Sequence, residues 1–437
     1  MAFEELVKQR RSIRKFKPDS IPAETLNEIL EVTAYPAHKR LSEKYRVVPV
    51  TNRDIIEKMR TACIETIENR AVKWTSEDET NWASLGIPFP KRDRIGASVK
   101  DHYLYFSKRF DTFFGDAPVV LVLATQAPLW KEAPHVWPIL QLVGAVMQSV
   151  QLAAAERGIG SCSMTGPLHS RQVHARLLQL ESPWEIVAIL PLGYPERMPS
   201  ARPRKPLSEV LRWIPHQPSS AKSMAEVTPQ KTNSLRQACF LEVLKSRRNV
   251  YNFLPFPVPH EEIEQIIDLV RLSPNALNQQ KWRFLALSDR EMLGKISEAM
   301  IAKASQVTDR ARAGTQALPK EMAFLDTPDA PEAENLAENP QAWLHFLTER
   351  AQCLSKAPAL VAVCNEALPF GSTYDQWNDI ESIGCAVETL MLEAAVRGYS
   401  SAWMTSPLIA WQEVDRILGV QDPWRTVSLV PLGVEIS

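Results

Sequence analysis

Cysteine is scarce and scattered in this sequence. Only six occur among 437 residues, at positions 63, 162, 239, 353, 364 and 385, with no CxxC pair and no Cys/His cluster at metal-ligand spacing. That pattern gives no footing for zinc, iron–sulfur or disulfide-framework sites, so no metal and reduced cytosolic thiols are expected. An excess of one charge is also lacking. Fifty basic side chains against 51 acidic ones leave a formal net charge of −1, which gives no electrostatic reason to expect nucleic acid or an anionic membrane as partner. A small molecule is the expected partner. The most apolar runs, such as Ala117–Thr125 and Ile186–Leu192, fall far short of the ~20 residues that span a bilayer and read as buried strands. The N-terminal MAFEELVKQRR has no apolar core or small-residue cleavage site of an export signal, so a cytoplasmic chain is expected. Neither half shows a glycine-rich phosphate loop after a strand, so a Rossmann nicotinamide domain is not expected.

What the sequence does have is a repeat. An offset of 237 residues carries Arg10-Arg11-Ser12-Ile13-Arg14-Lys15-Phe16 onto Arg247-Arg248-Asn249-Val250-Tyr251-Asn252-Phe253, Pro22 onto Pro259 and Arg46 onto Arg283. An offset of 240 carries Trp137 onto Trp377, Gly158 onto Gly398, Met164 onto Met404 and Trp184 onto Trp424. A net insertion of three residues separates the two registers. Each half reads as a periodic helix, an arginine motif, a proline-led helix (Ala23–Thr33; His260–Leu272) and a strand. A variable aromatic and charged region (about 55–115; 290–355) follows, then a strand (Val119–Ala124; Ala359–Cys364) and a long helix (Ile139–Arg157; Ile380–Arg397) apolar nearly all round. The Pro-, Ser- and Gln-rich stretch 215–233 has linker composition, so the domains are expected at 1–214 and 234–437.

With RRSIRKF, the stretch Ser273–Phe284 (SPNALNQQKWRF), the paired AAAERGIGSCSMTGP and AAVRGYSSAWMTSP segments and the PLG endings assembled, the chain resembles the FMN-dependent nitroreductase superfamily over most of both halves. The resemblance implies an α+β fold, a central mixed sheet flanked by helices, in two tandem copies. Family members are homodimers that hold FMN at the subunit interface, so it also implies an intramolecular pseudo-dimer. Carried over residue by residue, the first half supplies Arg10, Arg11, Ser12 and Arg14, the turn Met164-Thr165-Gly166, and the basic segment containing Arg202 and Arg204. The second half supplies the loop with Pro274, Asn275, Ala276, Asn278 and Gln280. The reciprocal pieces are damaged: the first half's loop, Tyr35 to Glu43, lacks the Asn and Gln, Ser12 and Arg14 become Asn249 and Tyr251, and no basic tail follows Leu432-Gly433. One FMN per chain is therefore expected, at one composite site.

Arginines and a hydroxyl suit a phosphate dianion. Arg14 is expected at the flavin's N1/O2 edge, where it favours hydride acceptance, and the backbone around Thr165 and Gly166 is expected at N5; these three are the candidate catalytic residues. Asn278 and Gln280 are expected to satisfy the ring's polar edge. Tyr103, Tyr105 and Phe106 are the candidate substrate residues, in a region whose rings can either stack on a planar substrate or pack a lid onto the body. Lys91, Arg92 and Arg94 are candidate anion-attracting residues there. Trp184, Trp282 and Trp424 are expected in the core, and Cys162 as a small packed residue. The implied activity is an FMN-dependent oxidoreductase that takes hydride from NAD(P)H and reduces a small electron-poor acceptor. The alternatives are an FMN oxidase or dehydrogenase of a biosynthetic intermediate, and a flavin-storage protein.

Overall fold

A computed structural model describes residues 1–35, 43–84, 98–126, 138–214, 235–318, 336, 338–366 and 374–436. The expected linker 215–233, most of the first half's loop, and Lys91, Arg92 and Arg94 lie outside the described residues. In the first half the helices are α1 (Phe3–Gln9), α2 (Ala23–Glu31), α3 (Arg53–Val72), α4 (Ser76–Ser84), α5 (Val99–Phe110), α6 (Pro138–Glu156) and α7 (Arg171–Leu177), and the strands β1 (Tyr45–Val50), β2 (Val119–Gln126), β3 (Gly160–Ser161) and β4 (Trp184–Gly193). A short strand, β5 (Leu211–Trp213), ends its tail. The second half repeats the plan with α8 (Phe240–Ser246), α9 (His260–Val270), α10 (Arg290–Arg312), α11 (Pro340–Lys356), α12 (Tyr374–Val396) and α13 (Trp411–Leu418), and with β6 (Trp282–Leu287), β7 (Ala359–Glu366), β8 (Ser400–Ser401) and β9 (Trp424–Gly433).

The repeat is retained in the local chemistry. Asn52 and Asp289, 237 residues apart, cap α3 and α10 by accepting two backbone N–H bonds each, as helix starts require. Ser98 and Asp101 form a capping box on α5. The sheets run β1-β2-β4-β3 and β5-β6-β7-β9-β8. Every pairing is antiparallel except β5 with β6, which is parallel. Because β5 belongs to the first half's tail, the second sheet becomes mixed by borrowing a strand. The strands β2 and β7 are buried along nearly their whole length, which explains why they read as continuous apolar runs.

Helices α6 and α12 pack against each other at the centre, and one core continues across both halves from Phe3, Val143 and Leu190 to Phe240, Val387 and Val430. Helix α6 has the length and composition to cross a membrane, yet 94% of its most apolar window is buried inside the protein. The two helices touch backbone to backbone. A Cβ on Gly144 would lie 2.0 Å from the Glu381 carbonyl oxygen, and one on Gly384 would lie 1.8 Å from that of Gln141. These glycines are thus fixed by close approach rather than by backbone conformation.

Two tryptophans depart from expectation. Trp282 is buried, but Trp184 and Trp424 are half-buried, each under an arginine guanidinium at 4.0 Å, Arg46 and Arg283 respectively. The arginine serves as the lid that core packing would otherwise provide.

Substituting Gly144 or Gly384 by Ala forces the helices apart and should destabilise the protein by about 1–3 kcal/mol. Urea unfolding of both variants would show it; midpoints equal to wild type would mean that the crossing is not close.

Candidate functional site

Helix α1 opens with Glu4 and Glu5 and closes with Lys8, matching its dipole. Arg10 is its C-terminal cap, and from there the chain runs extended: Ser12 bridges Ser161 in parallel, and the Ile13 N–H donates to the Ser161 carbonyl at 2.8 Å. This turns Arg10 inward, where it is 5% exposed and its Nη1 lies 3.4 Å from Gln151 Oε1. Arg11, Ser12 and Arg14 are half-buried along the same segment. Arg11 Nη1 donates to the Arg10 carbonyl at 2.9 Å, and Arg14 Nη1 to that of Ser12 at 3.4 Å.

The second half brings up residues 273–280. Leu277, Asn278 and Gln280 have φ of 52°, 64° and 53°, left-handed values that cost about 1–3 kcal/mol apiece in a non-glycine residue. Polar contacts hold the loop in that shape. The Gln280 N–H donates to Asn275 Oδ1 at 2.9 Å, the Ala276 N–H to Ser382 Oγ at 3.2 Å, and Ser273 Oγ to Thr389 Oγ1 at 2.9 Å. Pro274 is buried beneath them.

Against this loop lies the first half's basic segment. Arg204 donates to Asn278 Oδ1, to the Leu272 carbonyl at 3.1 Å and to the Ser273 carbonyl at 3.2 Å. Asn278 Nδ2 donates to the Pro203 carbonyl at 3.1 Å, and the Lys205 N–H to Gln280 Oε1 at 2.8 Å. The amides of Asn278 and Gln280 are therefore engaged with the other half's tail. Arg202 stays exposed beside it.

The result is a cluster of cations. Burial first, and then Arg204, lowers Arg10 to about 10. Arg204 is likewise lowered to about 10 by burial and by Arg11, Arg202 and Arg271. Among the described residues no carboxylate forms an ion pair with Arg10, Arg202 or Arg204. Two buried donors, Arg10 Nε and Gln151 Nε2, have no acceptor. A buried charge left so is costly, and an anion with several oxygens would relieve it. The donor set fits a phosphate group.

The twin position is different. Arg247 is buried, and Glu388 stands at the place that Gln148 takes in the first half. Burial pushes the Glu388 carboxyl up, while Arg247 and a bond from Ser149 Oγ at 3.2 Å draw it down. Tyr251, in Arg14's place, lies 3.6 Å beneath the Arg350 guanidinium. Trp403, in Ser163's place, is fully buried and donates from Nε1 to Ser428 Oγ at 3.0 Å.

The turn Met164-Thr165-Gly166 is fixed by reciprocal backbone bonds between Met164 and Ile189 at 2.8 and 2.9 Å. Met164 and Thr165 are buried, and Gly166 is half-buried. Cys162 is packed, 4% exposed. Of the candidate substrate residues, Tyr103 is buried between Trp74 and Trp82, with ring centroids at 4.9 and 5.1 Å, and burial pushes its hydroxyl up to about 12. Phe106 packs on Trp82 and Phe110, and Tyr105 is exposed, its hydroxyl 2.6 Å from Arg109 Nη1. Tyr103 thus packs the lid, while Tyr105 and Phe106 remain nearer its surface. Sequence reading missed Gln148, Gln151, Ser382 and Thr389. Their signal was uncharged polar residues within the two long central helices.

The Nitroreductase family's sequence model matches residues 7–194 and again 244–434. The chain belongs to the nitroreductase family. Both copies of the family's fold are present in tandem, and the relatives that follow each align with about half of the chain. A putative NAD(P)H nitroreductase of Bacillus subtilis is 24% identical over 206 residues, 47% of this chain and 90% of its own length. A 5,6-dimethylbenzimidazole synthase of Rhodospirillum rubrum is 27% identical over 192 residues, 43% of this chain and 77% of its own. The crystal structure of a nitroreductase with bound FMN from Desulfitobacterium hafniense aligns with 49% of this chain and all of its own, at 16% identity and a TM-score of 0.36.

Replacing Asn278 by Ala removes the bonds to Arg204 and Pro203 and should free this nitroreductase's basic segment. Trypsin should then cut after Arg204 several-fold faster than in wild type. An unchanged rate would show that the segment is held elsewhere.

Proposed function

We propose that the chain is an FMN-dependent oxidoreductase that uses NAD(P)H to reduce a small, electron-poor, aromatic acceptor, with a single FMN between its halves. The observation that carries the reading is the contrast between two related arginines. Arg247 has a buried acid, Glu388, within electrostatic reach, though burial holds that carboxyl above the usual range, whereas Arg10 lies beside Gln151 and Arg204. The matched relatives named NAD(P)H nitroreductases support the choice of electron donor.

In this reading Arg10, Arg11, Ser12, Arg202 and Arg204 would hold the cofactor's phosphate, and Pro274, Asn275 and Ala276 would seat its ring from the other half. Arg14, half-buried and bonded among the described residues to the Ser12 carbonyl, keeps donors for the pyrimidine edge. Asn278 and Gln280 act through the tail, by fixing Arg204 and Lys205. When bound, FMN would supply transfer of a hydride equivalent from NAD(P)H to the acceptor. The Thr165 and Gly166 backbone would stand at the reacting edge, and the rings of Phe106, Phe110 and Trp82 would wall off water. A second reading, oxidation of a biosynthetic intermediate, draws on the match to the benzimidazole synthase.

Denaturing the purified protein should release about one FMN per chain. Replacing Arg10 and Arg204 together by Ala removes charge-assisted bonds of about 1.5–3 kcal/mol each, which weakens FMN binding by roughly 10²- to 10⁴-fold. Replacing Arg247 and Arg248 should leave flavin content unchanged. Equal loss in both variants, or two FMN per chain, would refute the single composite site. Rapid anaerobic bleaching by NADH or NADPH supports the reductase; bleaching only by another donor supports the second reading.

A further inference from the structure

A carboxyl group lies against the turn that carries Gly166. A Cβ built on Gly166 would meet Asp111 Oδ1 at 2.0 Å and its Cγ at 2.4 Å. The glycine is bare there because the carboxyl fills the space of its side chain. In the second half the pair is exchanged as a unit: Ala351 stands for Asp111 and Ser406 for Gly166, both fully buried. The backbone therefore accepts a side chain on either partner, and only the first half, which holds the unanswered arginines, places an acid there.

Asp111 also breaks a local rule. It is the C-cap of α5, whose last turn carries Lys108 and Arg109 as the dipole prefers, and an anion at a helix C-terminus is disfavoured. Violations of this kind collect at functional sites. The surroundings do little to compensate for its charge. Ser107, buried on α5, bonds the carboxyl, and Cys63 on α3 donates to the Asp111 carbonyl at 3.5 Å. Tyr103 on the same helix and Cys63 are both disfavoured as anions by Asp111. Farther along the chain His169 is exposed at the surface, where Arg70 and Arg171 disfavour its cation. Burial raises Asp111 itself to about 7.

We infer that Asp111 is a positioning residue of the flavin site, which gains and loses a proton beside Gly166 and thereby links the bound flavin's reduction potential to pH. This rests on the FMN reading above. With its proton on, the group is neutral and does not oppose added electron density at the neighbouring edge. With the proton off, its negative charge opposes reduction. Reduction in turn holds the proton on more tightly, since the linkage is reciprocal.

The test is the midpoint potential of the FMN-loaded protein against pH, by spectroelectrochemistry, for wild type, Asp111→Asn, and the paired exchange Asp111→Ala with Gly166→Ser, whose packing the second half already uses. Wild type should fall more steeply than both variants between about pH 6 and 8, where the raised carboxyl titrates. Stability gives a second readout. A carboxyl raised in the folded state stabilises when protonated, and that contribution is lost as pH rises toward about 7, so wild type should lose stability relative to Asp111→Asn over that span. Parallel potential profiles in three flavin-loaded proteins would overturn the role of Asp111 and leave the flavin site standing. A wild-type chain that cannot be loaded with FMN would overturn both.

Discussion

The crossing of α6 and α12 is the constraint on which the rest depends. Gly144 and Gly384 bring the two backbones together at equivalent points, each against the carbonyl three residues before the other glycine. That contact sets the pseudo-twofold relation, and every interface feature is placed in pairs around it. Gln148 Nε2 donates to Thr389 Oγ1 at 3.0 Å on one side, and Ser149 Oγ to Glu388 Oε1 at 3.2 Å on the other. These are the same four helix positions with two residues changed. A homodimer must make every such change on both sides at once. A fused chain need not.

That freedom has been used in compensating sets rather than in single losses. Arg247 is retained and gains Glu388 as a neighbour. Tyr251 replaces Arg14, and its ring is covered by Arg350, which stands where the first half has Phe110. Ser163 becomes Trp403, whose indole fills space and finds Ser428, itself an alanine in the first half. Ser428 Oγ in turn donates to Gln141 of the first half at 2.5 Å. Each change would be costly alone, by leaving a buried charge, a void or an unpaired polar group. Taken together they describe a second half whose changes are packed against one another.

How much of this was legible in the sequence depends on the distance over which a residue acts. The constant offsets revealed the repeat, the apolar runs gave β2, β4 and β7, and the first half's basic segment and the Ser-Pro-Asn loop, read together from the sequence, touch in the structure. The exchange of Gln148 for Glu388 lies at the 240-residue offset, but its meaning was not legible there, because a polar residue within a helix carries no label of what it faces. Trp184 and Trp424 looked like core by residue type, but the Arg46 and Arg283 that cover them sit two strands away across the sheet. Asn278 and Gln280 read as free amides because their partners, Arg204 and Lys205, lie 74 and 75 residues away in sequence. Those partners also belong to the other half.

The tail that supplies these partners ties the site to the fold. Residues 203–205 run beside 278–280, and a few residues later β5 pairs in parallel with β6, Leu211 opposite Phe284 and Trp213 opposite Ala286. The two segments thus travel side by side in nearly constant register, from the loop through the strand that follows it. At the far end Trp213 Nε1 donates to Glu264 at 3.1 Å, and its ring stacks on His260 at 3.8 Å. One continuous seam therefore carries Arg204 at one end and the edge of the second sheet at the other. An anion drawn to Arg204 binds the seam only when it is formed, so binding stabilises the joined halves by linkage. The strained left-handed loop, the cation cluster and the borrowed strand are then parts of one clamp. The repulsion among its arginines is what an anionic ligand would turn into attraction.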